Sequence, residues 1–460
     1  MSWRFWMTTS LLVISSTQLA VAQKKKTPAK QKPNTVYTRY PTVSGEGQFN
    51  YVFSLKGNGK ELAPVVTNAM ALQEMENFVN ACIAKGAFPG CQVFAAKDGQ
   101  VIFNKSFGHF NYDKKKPVTD TTLYDIASVT KILSTTLAIM KLYEEGKLNL
   151  NAPISTYLPF TVGTDKANIT VKSLLLHQAG FKGWIPFHKA TMDSLTGLPS
   201  KDLYHRVETP GFTTPVSAGM YIKNTYPNYM LMQMIESPLV NKGKYVYSDI
   251  DLILLERIVM KLSKTTLDRY VYDNFYIPLN LQRTYYNPWI LNATQNCAPT
   301  ENDQSFRFQK VQGYVHDPVA ALMGGVAGHA GLFSNAREVA VIMQMLNNGG
   351  TYGDTKFFEK ETVRYFTGYR SNISRRGFGF DKPEKTGDGG PTSTVCSKTT
   401  FGHTGFTGTC AWSDPETGIV FVFLSNRVNP SSENSLITSL KVRGTVQNYI
   451  YQAVGKGNGK

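Results

Sequence analysis

Ser128-Val129-Thr130-Lys131 is the one place in the chain where a lysine follows a serine by three residues. A serine hydroxyl is a weak nucleophile at neutral pH and needs a base within hydrogen-bond reach. Ile132, Leu133, Leu137, Ile139, Met140, Leu142 and Tyr143, closed by Gly146, predict a helix over 128–146. Residues three apart share a helix face, so the Lys131 amine would reach Oγ. The first turn also offers free N–H groups and a dipole that favour developing negative charge. Alone, such a serine–lysine pair is a weak signal and needs partners.

Two further segments supply them. Tyr247-Ser248-Asp249 stands before the apolar run Ile250–Leu255. A tyrosine there leans its phenol into a neighbouring cleft, and a nearby lysine would lower its pKa and fit it to take the serine proton. The bland alternative makes Asp249 the helix N-cap and Tyr247 a packing residue. His403-Thr404-Gly405, followed by Phe406, lies on an expected strand. A strand edge facing the serine donates one backbone N–H to an oxyanion, a contribution of ~2.7–4 kcal/mol, and glycine lets the backbone come close. His177 and His329 sit among glycines in loop-like positions and read as structural, with a place in the cleft as the second reading of His329.

The elements that must position these residues follow from periodicity. A helix is expected over 66–86, a hairpin from Gly90 to Gly108 about Asp98-Gly99, and a short helix over 170–178. Irregular aromatic-rich segments fill about 180–310, with helices near 226–237, 249–263 and 265–274. A helix at 335–348, strands near 401–413 and 419–425, and a last helix at 433–453 complete the chain. Strands at both ends around a helical middle predict an α+β fold, one antiparallel sheet built from both termini with an inserted, mostly helical lobe at about 161–310. The cleft between sheet and lobe is the expected site.

Composition bounds the rest. With 460 residues, 42% hydrophobic and 12% aromatic, the chain can bury a large core and is not disordered overall. Residues 1–22 read as a cleavable export signal: Arg4, an apolar stretch, then Ala20-Val21-Ala22 before Gln23. No cysteine follows the cleavage site, so a lipid anchor is not indicated, and the expected location is periplasmic. Of the +16 net charge, +7 lies in residues 1–40, and 23–65 reads as a basic linker able to touch the anionic envelope. That distribution argues against nucleic acid as a partner. Cys82/Cys91 or Cys396/Cys410 could pair in an oxidising compartment, with at least one of the five cysteines left free. No HExxH, P-loop, CxxC or GxSxG occurs, so no metal or cofactor is expected.

Taken in order, Ser128…Lys131, Tyr247-Ser248-Asp249 and His403-Thr404-Gly405 resemble the motif triple of the class C β-lactamase, D-Ala-D-Ala peptidase and esterase family. Asn151–Pro159, Leu174–Gly180 and Gly324–Ser334 are similar to that family's connecting segments, so the resemblance spans about 68–455. It implies a β-lactamase/transpeptidase-like domain over 66–460 and an acyl-transfer serine hydrolase. Lys131 and Tyr247 would take the Ser128 proton, the N–H groups of Ser128 and Phe406 would hold the oxyanion, and Tyr247 would be the base for the deacylating water. Asp249, His403, Thr404 and Gly405 would contact substrate. Two departures bear on the substrate. Asp249 stands where the family has an amide donor, and His403 stands where a lysine usually attracts a carboxylate, although some peptidases of the group carry histidine. The expected substrates are D-amino-acid peptides of the cell wall; small esters or amides, weak β-lactam turnover and a catalytically silent wall-binding protein are the alternatives.

Overall fold

The computed structural model describes residues 65–387 and 390–456, so the expected signal peptide and all but the last residue of the basic linker lie outside the described residues. The elements that position the site are, in chain order, α1 (Ala69–Ala84), β1 (Gly90–Lys97), β2 (Gln100–Gly108), α2 (Thr136–Glu144), α3 (Asp249–Ser263), α4 (Pro318–Leu322) and α5 (Ala336–Asn347), then β3 (Phe401–Gly405), β4 (Thr409–Asp414), β5 (Ile419–Ser425) and α6 (Val442–Ala453). The five strands form one antiparallel sheet in the order β3-β4-β5-β1-β2, closed between the ends of the chain by Phe94 opposite Val422.

β5 reads Ile-Val-Phe-Val-Phe-Leu-Ser and is buried throughout, because both faces of the sheet are covered. Phe421 and Phe423, with Val93, Ala95 and Trp412, face Met75 and Val79 of α1 and Val446 and Ile450 of α6. Val420, Val422 and Leu424, with Phe94 and Ala411, face the larger core that α5 shares with the helical lobe. Each such side chain taken from water contributes ~1.5–3 kcal/mol. The result is the α+β sandwich expected from the two strand-rich ends. The lobe between them also carries a small three-stranded sheet (Tyr204–His205, Thr214–Ser217, Met220–Ile222) beside its helices.

Four local expectations change. The helix expected over 128–146 begins as a 3₁₀ turn (Ala127–Val129) and a wide π turn (Lys131–Thr135) before α2. Its fully buried Thr130, Ser134 and Thr135 are tied to outside partners, such as Thr135 Oγ1 to the Gly328 carbonyl at 2.7 Å, which draws the turn open. The stretch 401–413 is two strands, broken at Phe406–Gly408, where Gly408 takes φ +100°. The last helix is interrupted at Lys441 in a left-handed conformation, φ +52°. All five cysteines are free, four of them buried, so neither pairing forms. No described helix is long and apolar enough to cross a membrane.

Candidate active site

Ser128 sits at a strained corner. Ala127 holds φ +47°, unusual for a residue with a side chain. Asp125 stabilises it, Oδ1 accepting the Ala127 N–H at 2.8 Å and Oδ2 the His316 N–H at 2.6 Å. The first turn uses the Val129 N–H on the Ile126 carbonyl and the Thr130 N–H on the Ala127 carbonyl, so the Ser128 N–H lies ahead of the helical bonding. Lys131 Nζ, fully buried, donates to Ser128 Oγ at 2.9 Å, to Asp249 Oδ1 at 2.7 Å and to the His329 carbonyl at 3.2 Å.

Asp249 is the first residue of α3, behind Ser248 as the capping position, and its carboxylate serves Lys131 rather than the helix end. The Tyr247 ring lies 4.8 Å from the Lys131 ammonium and 5.2 Å from the Arg376 guanidinium. Each such contact adds about 0.5–2 kcal/mol when shielded from water. The Tyr247 hydroxyl is buried with no hydrogen-bond partner among the described residues. Behind the ring, at 4.7 Å, stands His177, bonded through Nδ1 to Asp251 at 2.8 Å, in the structural position expected of it.

The third segment is tied to the corner before Ser128. Thr407 Oγ1 donates to the Asp125 carbonyl at 2.7 Å and Thr409 Oγ1 to the Ile126 carbonyl at 3.0 Å. A Cβ on Gly405 would meet the Ile126 carbonyl oxygen at 2.5 Å, so only glycine lets β3 lie this close. β3 is the edge strand of the sheet. Gly402 spends its outward N–H and C=O on Asp381, so by alternation Thr404 presents its N–H on that same side. Phe406 follows in the turn after β3, its carbonyl accepting from Arg427 Nε at 2.8 Å. Phe406 and Ser128 both line a cleft of about 570 Å³, together with Tyr247, Asp249 and His329. The Phe406 ring is 55% exposed, stacked on His316 and on the Arg427 guanidinium.

Electrostatics corrects two expectations. Burial opposes the Lys131 charge, but the Asp249 carboxylate and the Tyr247 oxygen together outweigh it and hold the ammonium above the usual lysine value. Burial pushes the Tyr247 phenol up, and the Lys131 ammonium only partly offsets it, so the expected lowering does not occur. His403 departs as well. It is 2% exposed and accepts from Arg376 Nη1 on Nε2 at 3.0 Å while Nδ1 donates to the Thr404 carbonyl at 2.6 Å. Burial and the Arg376 charge push its pKa down to about 3, so it is a neutral imidazole and not a part-time cation.

Sequence reasoning missed Arg376. Its guanidinium bonds His403, donates to the Tyr245 hydroxyl at 3.1 Å and lies 3.7 Å from Asp381. It sits in a loop outside any motif, and no periodicity marks it. His329, weighed as structural, instead lines the cleft and bonds Asp317 through Nε2 at 2.9 Å. Asp249, Asp317 and His329 bring one metal-ligand atom each within 4.8 Å of one another. Two of these carboxylate oxygens are already engaged, Asp249 Oδ1 by the Lys131 ammonium and Asp317 Oδ1 by the His329 ring, so a dication would have to displace these partners.

The Beta-lactamase family profile matches residues 75–442. A protein of Escherichia coli K12 named "Putative D-alanyl-D-alanine carboxypeptidase" is 32% identical over 423 residues, covering 84% of this chain and 91% of its own length. Among solved structures, a penicillin-binding protein homologue from Caulobacter crescentus superposes with TM-score 0.60 at 18% identity, over 86% of this chain and all of its own. EstCE1, "a hydrolase with promiscuous acyltransferase activity", gives 0.61 at 19% identity, over 82% and 99%. The serine–lysine pair thus stands in the fold in which such pairs are found, and the chain is a serine hydrolase belonging to the beta-lactamase family.

Proposed function

We propose that the protein hydrolyses D-amino-acid peptides of the cell wall through an acyl-enzyme on Ser128, as an exported enzyme of D-Ala-D-Ala carboxypeptidase type. The observation that carries the chemistry is the chain Ser128 Oγ, Lys131 Nζ, Asp249 Oδ1 at 2.9 and 2.7 Å. The substrate class is supported by the name of the Escherichia coli relative and by the edge position of β3, where beyond the Asp381–Gly402 bridge the Thr404 N–H can pair with an extended peptide. Export rests on the leader-like residues 1–22.

At rest Lys131 holds its proton. When substrate fills the cleft and expels water, the Lys131–Asp249 ion pair loses solvation, and one proton crosses its hydrogen bond to the carboxylate. The neutral amine then takes the Oγ proton as Oγ attacks the carbonyl carbon, with the Tyr247 hydroxyl completing the proton path. The N–H groups of Ser128 and Phe406 hold the oxyanion. Lys131 passes the proton to the leaving nitrogen, the C–N bond breaks, and Asp249 returns the stored proton to Lys131.

The test is labelling with a fluorescent penicillin and a fluorophosphonate, paired with D-alanine release from a D-Ala-D-Ala peptide. Covalent label on Ser128 with D-alanine release is expected. Label without peptide cleavage would remove the substrate class, and no label on a folded protein would remove the acyl-enzyme.

A further inference from the structure

We propose that His329, oriented by Asp317, is the base that activates the deacylating water, an assignment resting on the acyl-enzyme reading above. Asp317 Oδ1 is fixed twice, accepting the Ala320 N–H at the start of α4 at 2.8 Å and meeting His329 Nε2 at 2.9 Å. A carboxylate on Nε2 holds the proton there and leaves Nδ1 as the reactive nitrogen. That Nδ1 is buried and has no partner among the described residues, in a ring 1% exposed on the wall of the cleft that Ser128 shares. A buried nitrogen left unbonded costs ~1–3 kcal/mol and marks a place for a ligand or water.

Its position fits. The backbone carbonyl of His329 receives the Lys131 ammonium that also bonds Ser128, so residue 329 and the nucleophile share one lysine, and the ring lines the same cleft. Gly328 seats the loop: its N–H bonds buried Glu256 at 2.9 Å, and any Cβ there would collide with the Leu252 carbonyl of α3. The charged and titratable groups facing the ring are Asp317 before α4, Asp249 and Glu256 of α3, and Lys131 from the turn that carries Ser128. Burial opposes the imidazolium, but Asp317 and Asp249 outweigh it and raise the His329 pKa above the ordinary histidine value. Lys131 and Tyr247, by contrast, both keep their protons more tightly than usual.

The step balances as follows. Water oxygen attacks the carbonyl carbon of the Ser128 ester and its proton passes to His329 Nδ1. The oxyanion rests on the Ser128 and Phe406 N–H groups. Collapse breaks the Oγ–C bond and releases the acid, Oγ takes a proton from Lys131, and His329 restores that proton to Lys131 by way of Asp249.

Acylation and deacylation are measured separately with a fluorescent penicillin and an activated ester, across pH. His329→Gln should leave acylation of Ser128 close to wild type and slow deacylation ~100-fold or more, the usual share of a general base. The acid limb of the deacylation profile should vanish with it. Hydroxylamine, a nucleophile strong enough to need no base, should restore turnover of the trapped acyl-enzyme. Asp317→Asn, which caps α4 as well as aspartate does, should move the acid limb to lower pH, because the carboxylate that holds the imidazolium is gone. That shift decides the matter if His329→Gln does not fold. Unchanged deacylation in His329→Gln, an unmoved limb in Asp317→Asn, or equal losses in both half-reactions would overturn the assignment while leaving the acyl-enzyme standing. Absence of any label on wild-type Ser128 would overturn both.

Discussion

The Asp249 carboxylate accepts from the Lys131 ammonium at 2.7 Å, so the residue that departs from the family's amide is wired to the lysine proposed as the general base. A side chain expected to act on substrate therefore acts first on the lysine.

Asp249→Asn should speed acylation by amide-bearing penicillins by about one to two decades, since a donor for the substrate carbonyl replaces an anion. Without the carboxylate, burial dominates at Lys131 and its pKa falls. The amine is then free at lower pH, and the acid limb of the acylation profile moves down. Stopped-flow acylation across pH reads both effects; an upward shift of the limb would contradict the proton balance described.

Ser128→Ala should abolish labelling and turnover while the melting temperature stays near wild type, because Ser128 is half-buried and its hydroxyl bonds only Lys131 among the described residues. Lys131→Ala should lose several orders of magnitude, and the double variant little more, as members of one catalytic unit are non-additive. Normal ester turnover by Ser128→Ala would sink the assignment of the nucleophile.

Tyr247→Phe keeps the ring between Lys131 and Arg376 and removes only the unpartnered hydroxyl. A large loss of acylation rate with unchanged thermal stability is expected if the phenol carries a proton. Wild-type rates in this variant would reduce Tyr247 to a platform for the two cations.

His403 should not titrate between about pH 5.5 and 8.5, a window around the ordinary histidine pKa, since burial and Arg376 hold it down to about 3. His403→Gln should therefore leave the shape of the kcat/KM profile unchanged. Stability behaves differently. The unfolded chain binds a proton near the ordinary histidine value and the folded one refuses it, so His403 contributes stability in full above about pH 6.5. That contribution declines as pH falls towards 3, by at most about 1.4 kcal/mol per pH unit. Denaturant titrations should show a shallower acid decline in His403→Gln.

Gly405→Ala places a methyl against the Ile126 carbonyl and Thr409, and must push β3 away from the Ser128 corner. Loss of one oxyanion donor corresponds to about 10²–10³ in kcat, with KM less affected. An unchanged kcat would show that the Phe406 N–H is not part of the site.

The three motifs, the strands at both ends and the main helices were legible because each depends on residues close in sequence. Ile419–Ser425 alternates between two buried faces, and Ser128 and Lys131 lie one turn apart. What stayed hidden depends on neighbours far along the chain. Arg376 reaches His403 from a loop without periodicity, and Asp317 meets His329 only because α4 and the Gly328 loop pack beside α3. Sequence alone determined which residue types stand ready for acyl transfer and in what order. The tertiary structure alone decided their charges, because protonation follows burial and the neighbouring charges: His403 is kept neutral by burial and the like charge of Arg376, Lys131 is held charged beside Asp249, and Asp317 and Asp249 raise His329 against its burial.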